Sequence, residues 1–184
     1  MNSETQPKKQ KALKKITKTR LKNIGLYYLE RFESSVQNLR DVLKRRVDGY
    51  AFQNPDFDKA QAYQWIEELL EDFQNWNYLS DERYASLKVK DYLAAGKSAR
   101  YIKTKLRMKG IDENAADALI EKEEYDPKAF ALKLAKKKKI GPFRTNAEDR
   151  KENRQKDMGI LLRAGFDYDV VCDILGQTVE QIED

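Results

Sequence analysis

The chain has 184 residues, of which 36% are charged, and its mean hydropathy is −0.85. It is long enough to bury a sizeable core in one or two domains, but such a polar balance suits thin helical layers with much exposed surface better than a thick sandwich or barrel. Only eight glycines and four prolines also favour helix. A lone cysteine, Cys172, excludes an intramolecular disulfide framework and fits a reducing compartment. The absence of histidine removes every Ser-His and Cys-His nucleophilic arrangement and all histidine-containing zinc sites. A carboxylate-only magnesium site is the metal chemistry left open, and nothing in the sequence isolates one.

No apolar run approaches the roughly 18 residues of a membrane span. The first 23 residues lack the uninterrupted hydrophobic centre of a signal peptide, so the expected location is the cytoplasm, without a membrane partner. Charge is segregated. Residues 1–23 carry eight basic groups against one acidic, residues 128–156 carry eleven against three, and the last 28 residues have a net charge of −6. Two basic regions separated by acidic ones suggest a polyanion contact beside a protein contact. The plainer alternative is solvated helix surface plus a disordered tail.

In chain order, residues 1–17 are low in apolar content and read as a basic, disordered tail. Ile24, Tyr27, Tyr28, Leu29 and Phe32 form a first helical stripe, and Val36, Leu39, Val42 and Leu43 a second, with Ser34 or Ser35 as its N-cap. After Asn54-Pro55-Asp56, Asp58 caps a long helix bearing Ala62, Ile66, Leu69, Leu70, Phe73 and Trp76. Ser80 caps the next, with Asp81 and Glu82 in its first turn. That helix stops near Gly96. Ser98 opens a helix with Ala99, Ile102 and Leu106 inward and Gly110 at its end, and Asp112 opens another with Ala115, Ala116, Leu119 and Ile120. Asp126-Pro127 then supplies a cap followed by proline at the first helical position. This helix runs into Lys136-Lys137-Lys138-Lys139 and ends at Gly141-Pro142, and the polar stretch to about Arg150 reads as a linker or long loop. A helix with Met158, Leu161 and Leu162 reaches Ala164-Gly165-Phe166, and Asp167 caps the last one, through Val170, Val171, Ile174 and Leu175.

Leu39 and Leu43, Ile102 and Leu106, and Val171 and Leu175 repeat one plan, with 63 residues between the first two pairs and 69 between the next two. Such a period implies tandem three-helix modules, although helical hairpins also resemble one another by patterning alone. The expected fold is all-α and elongated, with three tandem, helix-turn-helix-like modules at 18–79, 80–125 and 126–184.

No catalytic constellation emerges. Asp81 and Glu82 are adjacent on a helix and diverge by about 100°, so they suit the positive end of the helix dipole rather than acid/base work. Cys172, with no histidine to lower its pKa, reads as a packing residue. The binding candidates are basic. Arg100, Lys103 and Arg107 form one helical ridge, Lys105 lies alongside with Tyr101, and Lys109 follows. This surface suits phosphates, an acidic protein groove, or simply solvent. Lys136, Lys137, Lys138 and Lys139 surround their helix axis, with Lys151, Arg154 and Lys156 extending the run. They can follow a phosphate backbone but cannot read bases from a defined face.

The junction Asn77-Tyr78-Leu79-Ser80-Asp81-Glu82-Arg83-Tyr84-Ala85 resembles that of the RecX family, the bacterial regulators of the RecA recombinase. Asn77 stands where the family has glycine, Ser80 where it has aspartate, and Tyr84 where it has phenylalanine. Gly96, Ile102, Leu106 and Lys109-Gly110-Ile111 match the second-module pattern, Arg163-Ala164-Gly165-Phe166 with Asp169 and Val170 the third, and Leu29, Arg31, Ser34 or Ser35, Leu39 and Leu43 the first. The resemblance spans about residues 20–176 and implies a non-enzymatic protein without cofactors. Such a protein binds RecA filaments on single-stranded DNA and limits recombinase and co-protease activity. The expected partners are the RecA filament and, through the basic surface, single-stranded DNA, with the protein itself a monomer. The competing reading is a DNA-binding helical protein that acts independently of RecA.

Overall fold

The structure, a computed structural model, describes residues 13–177, and all regular structure among them is helical. The all-α expectation therefore holds for the described residues. The chain divides into two compact units, Met1–Leu79 and Ser80–Asp184.

The first unit contains α1 (Lys18–Leu29), α2 (Val36–Gln53) and α3 (Lys59–Asn75). Each begins at a side-chain cap. Thr17, Ser35 and Asp58 accept from the N–H groups of Arg20, Asn38 and Gln61, which leaves one fewer orphan donor in each first turn. Leu21, Leu39, Leu43, Val47, Ile66, Leu69, Leu70 and Phe73 close the core, each large apolar side chain contributing about 1.5–3 kcal/mol by burial. Gly25 lets α1 approach closely, since a β-carbon there would lie 2.6 Å from the Phe73 ring. Residues 1–12 of the expected tail lie outside the described residues, whereas Ile16 is buried in this core. Three members of the sequence stripes face outward instead. Tyr27 and Phe32 are 55% and 56% exposed because α1 turns Leu21 and Gly25 to the core, and Trp76 is 45% exposed because it caps α3 beyond its last turn.

The second unit contains α4 (Asp81–Ala94), α5 (Ala99–Arg107), α6 (Glu113–Lys122), α7 (Pro127–Lys138), a single 3-10 turn at Gly141–Phe143, α8 (Ala147–Arg163) and α9 (Tyr168–Gly176). Two apolar clusters fill it. One is built on Val89, Ile102, Leu106 and Ile120, the other on Ala131, Ala135, Leu161, Phe166, Val171 and Ile174, and Phe130 packs against both.

One helix ending recurs. At Gly96 and Gly165, with φ of +70° and +92°, the glycine N–H donates three residues back, to Leu93 and Leu162. The following N–H donates five back, to Tyr92 and Leu161. In the first unit Asn77, with φ of +58°, ends α3 in the same way, its own N–H donating to Gln74 and that of Tyr78 to Phe73. This hydrogen-bond pair requires a left-handed residue, which glycine adopts freely and asparagine tolerates. The replacement of the family glycine by Asn77 is thereby accounted for. Ile102 and Leu106 lie on α5, and their counterparts Val171 and Leu175 lie on α9, so the α4–α5 pair corresponds to α8–α9 and α7 stands ahead of the second pair.

The stretch to Arg150, expected as a linker, is largely structured. α8 already begins at Ala147, where Asn146 accepts from the Asp149 N–H at 2.8 Å. Arg144 ties the approach down with hydrogen bonds of 2.7 and 2.8 Å to Asp157, and the Asp157 carboxylate also accepts from the Gly141 N–H at 2.8 Å. Asp157 is fully buried. Burial alone would raise its pKa, but the hydrogen bonds from Arg144 and Gly141, with the Arg144 charge, outweigh that and hold it below the ordinary carboxylate value. The same pair pushes Arg144 upward. Asp167 occupies the cap position of α9 but forms no capping side-chain hydrogen bond.

Candidate functional site

The basic helix α5 begins at Ser98, which is 1% exposed and accepts from the Tyr101 N–H at 3.2 Å. With Ile102 and Leu106 fixed inward, the remaining faces must carry the charge. Arg100, Lys103 and Arg107 line one cleft of about 570 Å³, shared with Glu113, Tyr125 and Asp167. Its charge is therefore mixed. Lys103 Nζ lies 3.2 Å from carboxylate oxygens of both Asp117 and Glu113 on α6, and hydrogen bonds to these two, Asp117 first, raise its pKa above the ordinary lysine value. Lys103 thus links α5 to α6, while Arg100 and Arg107 are exposed and form no ion pair with any described residue.

The opposite flank of α5 is organised around Tyr101. Lys97 and Lys105 place their ammonium groups 5.0 and 5.4 Å from its ring centre, and Tyr92 meets its edge at 5.6 Å. Lys109 follows in the turn after α5 and is half-buried.

Lys136, Lys137 and Lys138 form the last turn of α7, where cations oppose the negative end of the helix dipole. Lys139 ends the helix in a left-handed conformation with φ of 53°. The four do not act as one strip. Lys137 and Lys138 line a second cleft, of about 680 Å³, together with Lys97, Tyr101, Lys133 and Arg163. Lys136 and Lys139 are exposed and line neither cleft. Lys151 is exposed on α8, and Arg154 donates to the Leu175 carbonyl at 2.9 Å, joining α8 to the end of α9. Lys97, Lys133 and Arg163 were not singled out in the sequence. Their signals are faint: Lys133 lies one helical turn before Lys137, Lys97 follows the Gly96 turn, and Arg163 precedes the equivalent Gly165 turn.

Asp81 and Glu82 occupy the first turn of α4, behind the Ser80 cap. Cys172 is half-buried, and its hydrogen bond to Tyr168 pushes the phenol pKa upward. Among the described residues no cluster of acidic or cysteine side chains could hold a metal ion, and no helix is long and apolar enough to cross a membrane.

Residues 80–120, which are α4, α5 and most of α6, match the family described as "RecX, second three-helix domain". The chain is 36% identical over 167 residues to the regulatory protein RecX of Myxococcus xanthus, covering 88% of this chain and 87% of that protein. It is 27% identical over 163 residues to the regulatory protein RecX of Agrobacterium fabrum, covering 89% and 85%. The fold is similar to the crystal structure of RecX from Lactobacillus salivarius, with a TM-score of 0.62, 21% identity, and coverage of 86% of this chain and 94% of that one. A further crystal structure, of a regulatory protein RecX, gives a TM-score of 0.64 at 23% identity, covering 87% of this chain and 72% of that one. By the identity and coverage of the Myxococcus relative, and the match across its second module, the chain belongs to the RecX family of regulatory proteins.

Proposed function

We propose that this protein binds RecA filaments assembled on single-stranded DNA in the cytoplasm and lowers their recombinase and co-protease activity, without catalysing a reaction itself. The observation that carries the reading is its 36% identity, across 88% of the chain, to a regulatory RecX protein. The site geometry supports it. Arg100 and Arg107 present cations with no ion pair to any described residue beside acidic and aromatic groups, a mixed surface suited to protein, while among the described residues the charged groups lining the cleft at Lys133 and Lys137 are all cations. Tandem modules offer successive contact surfaces, so one chain can engage more than one protomer and gain affinity by linkage.

The decisive measurement is RecA-dependent strand exchange and ATP hydrolysis with the purified protein at substoichiometric amounts. Inhibition, with affinity for the filament above that for bare strand, is expected. Equal binding to filament and bare strand, with unchanged ATP hydrolysis, would reject it. That result would favour the second reading, a DNA-binding protein acting without RecA, which the cation-only cleft also suits.

A further inference from the structure

The second cleft is built from three places in the chain. Lys97 and Tyr101 come from the α4–α5 turn and the start of α5, Lys133, Lys137 and Lys138 from one side of α7, and Arg163 from the end of α8. Among the described residues no carboxylate lines it. The five cations are solvent-exposed, and none forms an ion pair with any described residue, in contrast to Lys103. Lys97 is further held by the Tyr101 ring. Beside them Gly96 leaves its backbone open, since a β-carbon there would meet nothing within 4 Å.

Five like charges with no acidic counterpart among the described residues create a strongly positive local potential that an extended polyanion neutralises. An acidic protein partner fits less well. Protein interfaces take most of their affinity from buried apolar or aromatic anchors, and none of the large hydrophobic side chains most exposed in this molecule lines the cleft. We infer that the cleft of Lys97, Lys133, Lys137, Lys138 and Arg163 seats the phosphodiester backbone of a single nucleic-acid strand, without base selectivity. The cations surround phosphates from several sides, and the Tyr101 ring, covered by Lys97 and Lys105, positions ammonium groups rather than offering a free stacking face.

This deepens the proposed regulatory function, on which it rests for its biological setting, but its strand-binding titration needs no recombinase, and inhibition of RecA is a second, separate readout. The triple variant Lys97→Gln, Lys133→Gln and Arg163→Gln is compared with a charge-matched control, Arg45→Gln, Lys90→Gln and Lys122→Gln. Both are full-length chains checked for helical circular dichroism and titrated against fluorescent oligo-dT by anisotropy at several salt concentrations. The cleft triple should bind at least tenfold more weakly, and its salt slope should be shallower by about two, at roughly 0.7 per lost phosphate contact. The control should stay within about twofold of wild type, and the same three cleft positions changed to lysine or arginine, preserving charge, should bind like wild type. Equal losses in both triples would overturn the inference, because net charge alone would then explain binding. Unchanged strand binding with lost RecA inhibition would also overturn it, identifying the cleft as a protein site while leaving the regulatory reading intact. Weakened strand binding with RecA inhibition unaffected would uphold the strand seat and count against its use in regulation.

Discussion

The Ser98 hydroxyl donates to the Ala164 carbonyl at 2.7 Å while accepting from the Tyr101 N–H at 3.2 Å. One oxygen therefore caps α5 and fastens the α8–α9 turn to it. Ser98→Ala removes both interactions and leaves the half-buried Ala164 carbonyl with one partner fewer, so a loss of about 1–3 kcal/mol is expected from urea unfolding. Gly165→Ala should cost as much or more, because its β-carbon would stand 2.6 Å from Ser98 Oγ on a backbone with φ of +92°. An unchanged midpoint for Ser98→Ala would show that this joint contributes nothing to stability.

Asp157 supplies a pH dependence with a definite sign. Its pKa is lowered on folding, so its stabilising contribution is present above the ordinary carboxylate value of about 3.9 and is lost as pH falls through the lower folded value. Asp157→Asn leaves Arg144 without its buried counter-charge and should destabilise by about 3–5 kcal/mol at neutral pH. It should also make the acid limb of a Tm-versus-pH curve shallower than in wild type. Some slope will remain, because Asp48, hydrogen-bonded to Lys59 and Tyr63, is lowered too.

The two outward arginines of α5 should separate functionally from the lysine between them. Arg100→Gln with Arg107→Gln is expected to weaken inhibition of RecA-dependent strand exchange by threefold or more, whereas Lys103→Gln should have little effect on it. A double-mutant cycle between Lys103 and Asp117 should give a coupling of about 0.2–1 kcal/mol, the range for exposed pairs. If Lys103→Gln alone abolishes inhibition, its pairing with α6 is not its main role.

Gly25→Ala tests the α1 approach. The added methyl would meet the Phe73 ring at 2.6 and 2.9 Å, and Phe73 is fully buried, so the ring must shift against its neighbours. Despite the better helix propensity of alanine, a net destabilisation of about 1–3 kcal/mol is expected in thermal unfolding. A stabilised variant would mean that the ring can move aside.

The parts of this fold that depend on neighbours in sequence were legible there. Ser35, Asp58, Ser80, Ser98, Asp112 and Asp126 all cap the helices they were expected to cap, because a cap bonds only two or three residues ahead. The start of α8 was missed because a polar stretch looks like a loop until Arg144 meets Asp157, thirteen residues on. The basic surface was legible as composition but not as geometry. The sequence ridge placed Lys103 with Arg100 and Arg107, and only the approach of α6 reveals its two carboxylate partners. Likewise, no local pattern joins Lys97, Lys133 and Arg163, which meet only when α5, α7 and the end of α8 pack together.

Five cations crowded around one cleft also bear on the folded chain before anything binds. Their mutual repulsion opposes the packing that brings α5, α7 and α8 together, and it is strongest in dilute buffer, where the screening length is longest. Added salt should therefore raise the melting temperature. The charge-removing cleft triple should melt above wild type at low ionic strength, even as it loses its polyanion. A bound strand would relieve the same repulsion and tighten the second unit around itself. Ligand affinity and intrinsic stability thus pull in opposite directions at this one place, a trade-off expected where a protein keeps like charges together for use.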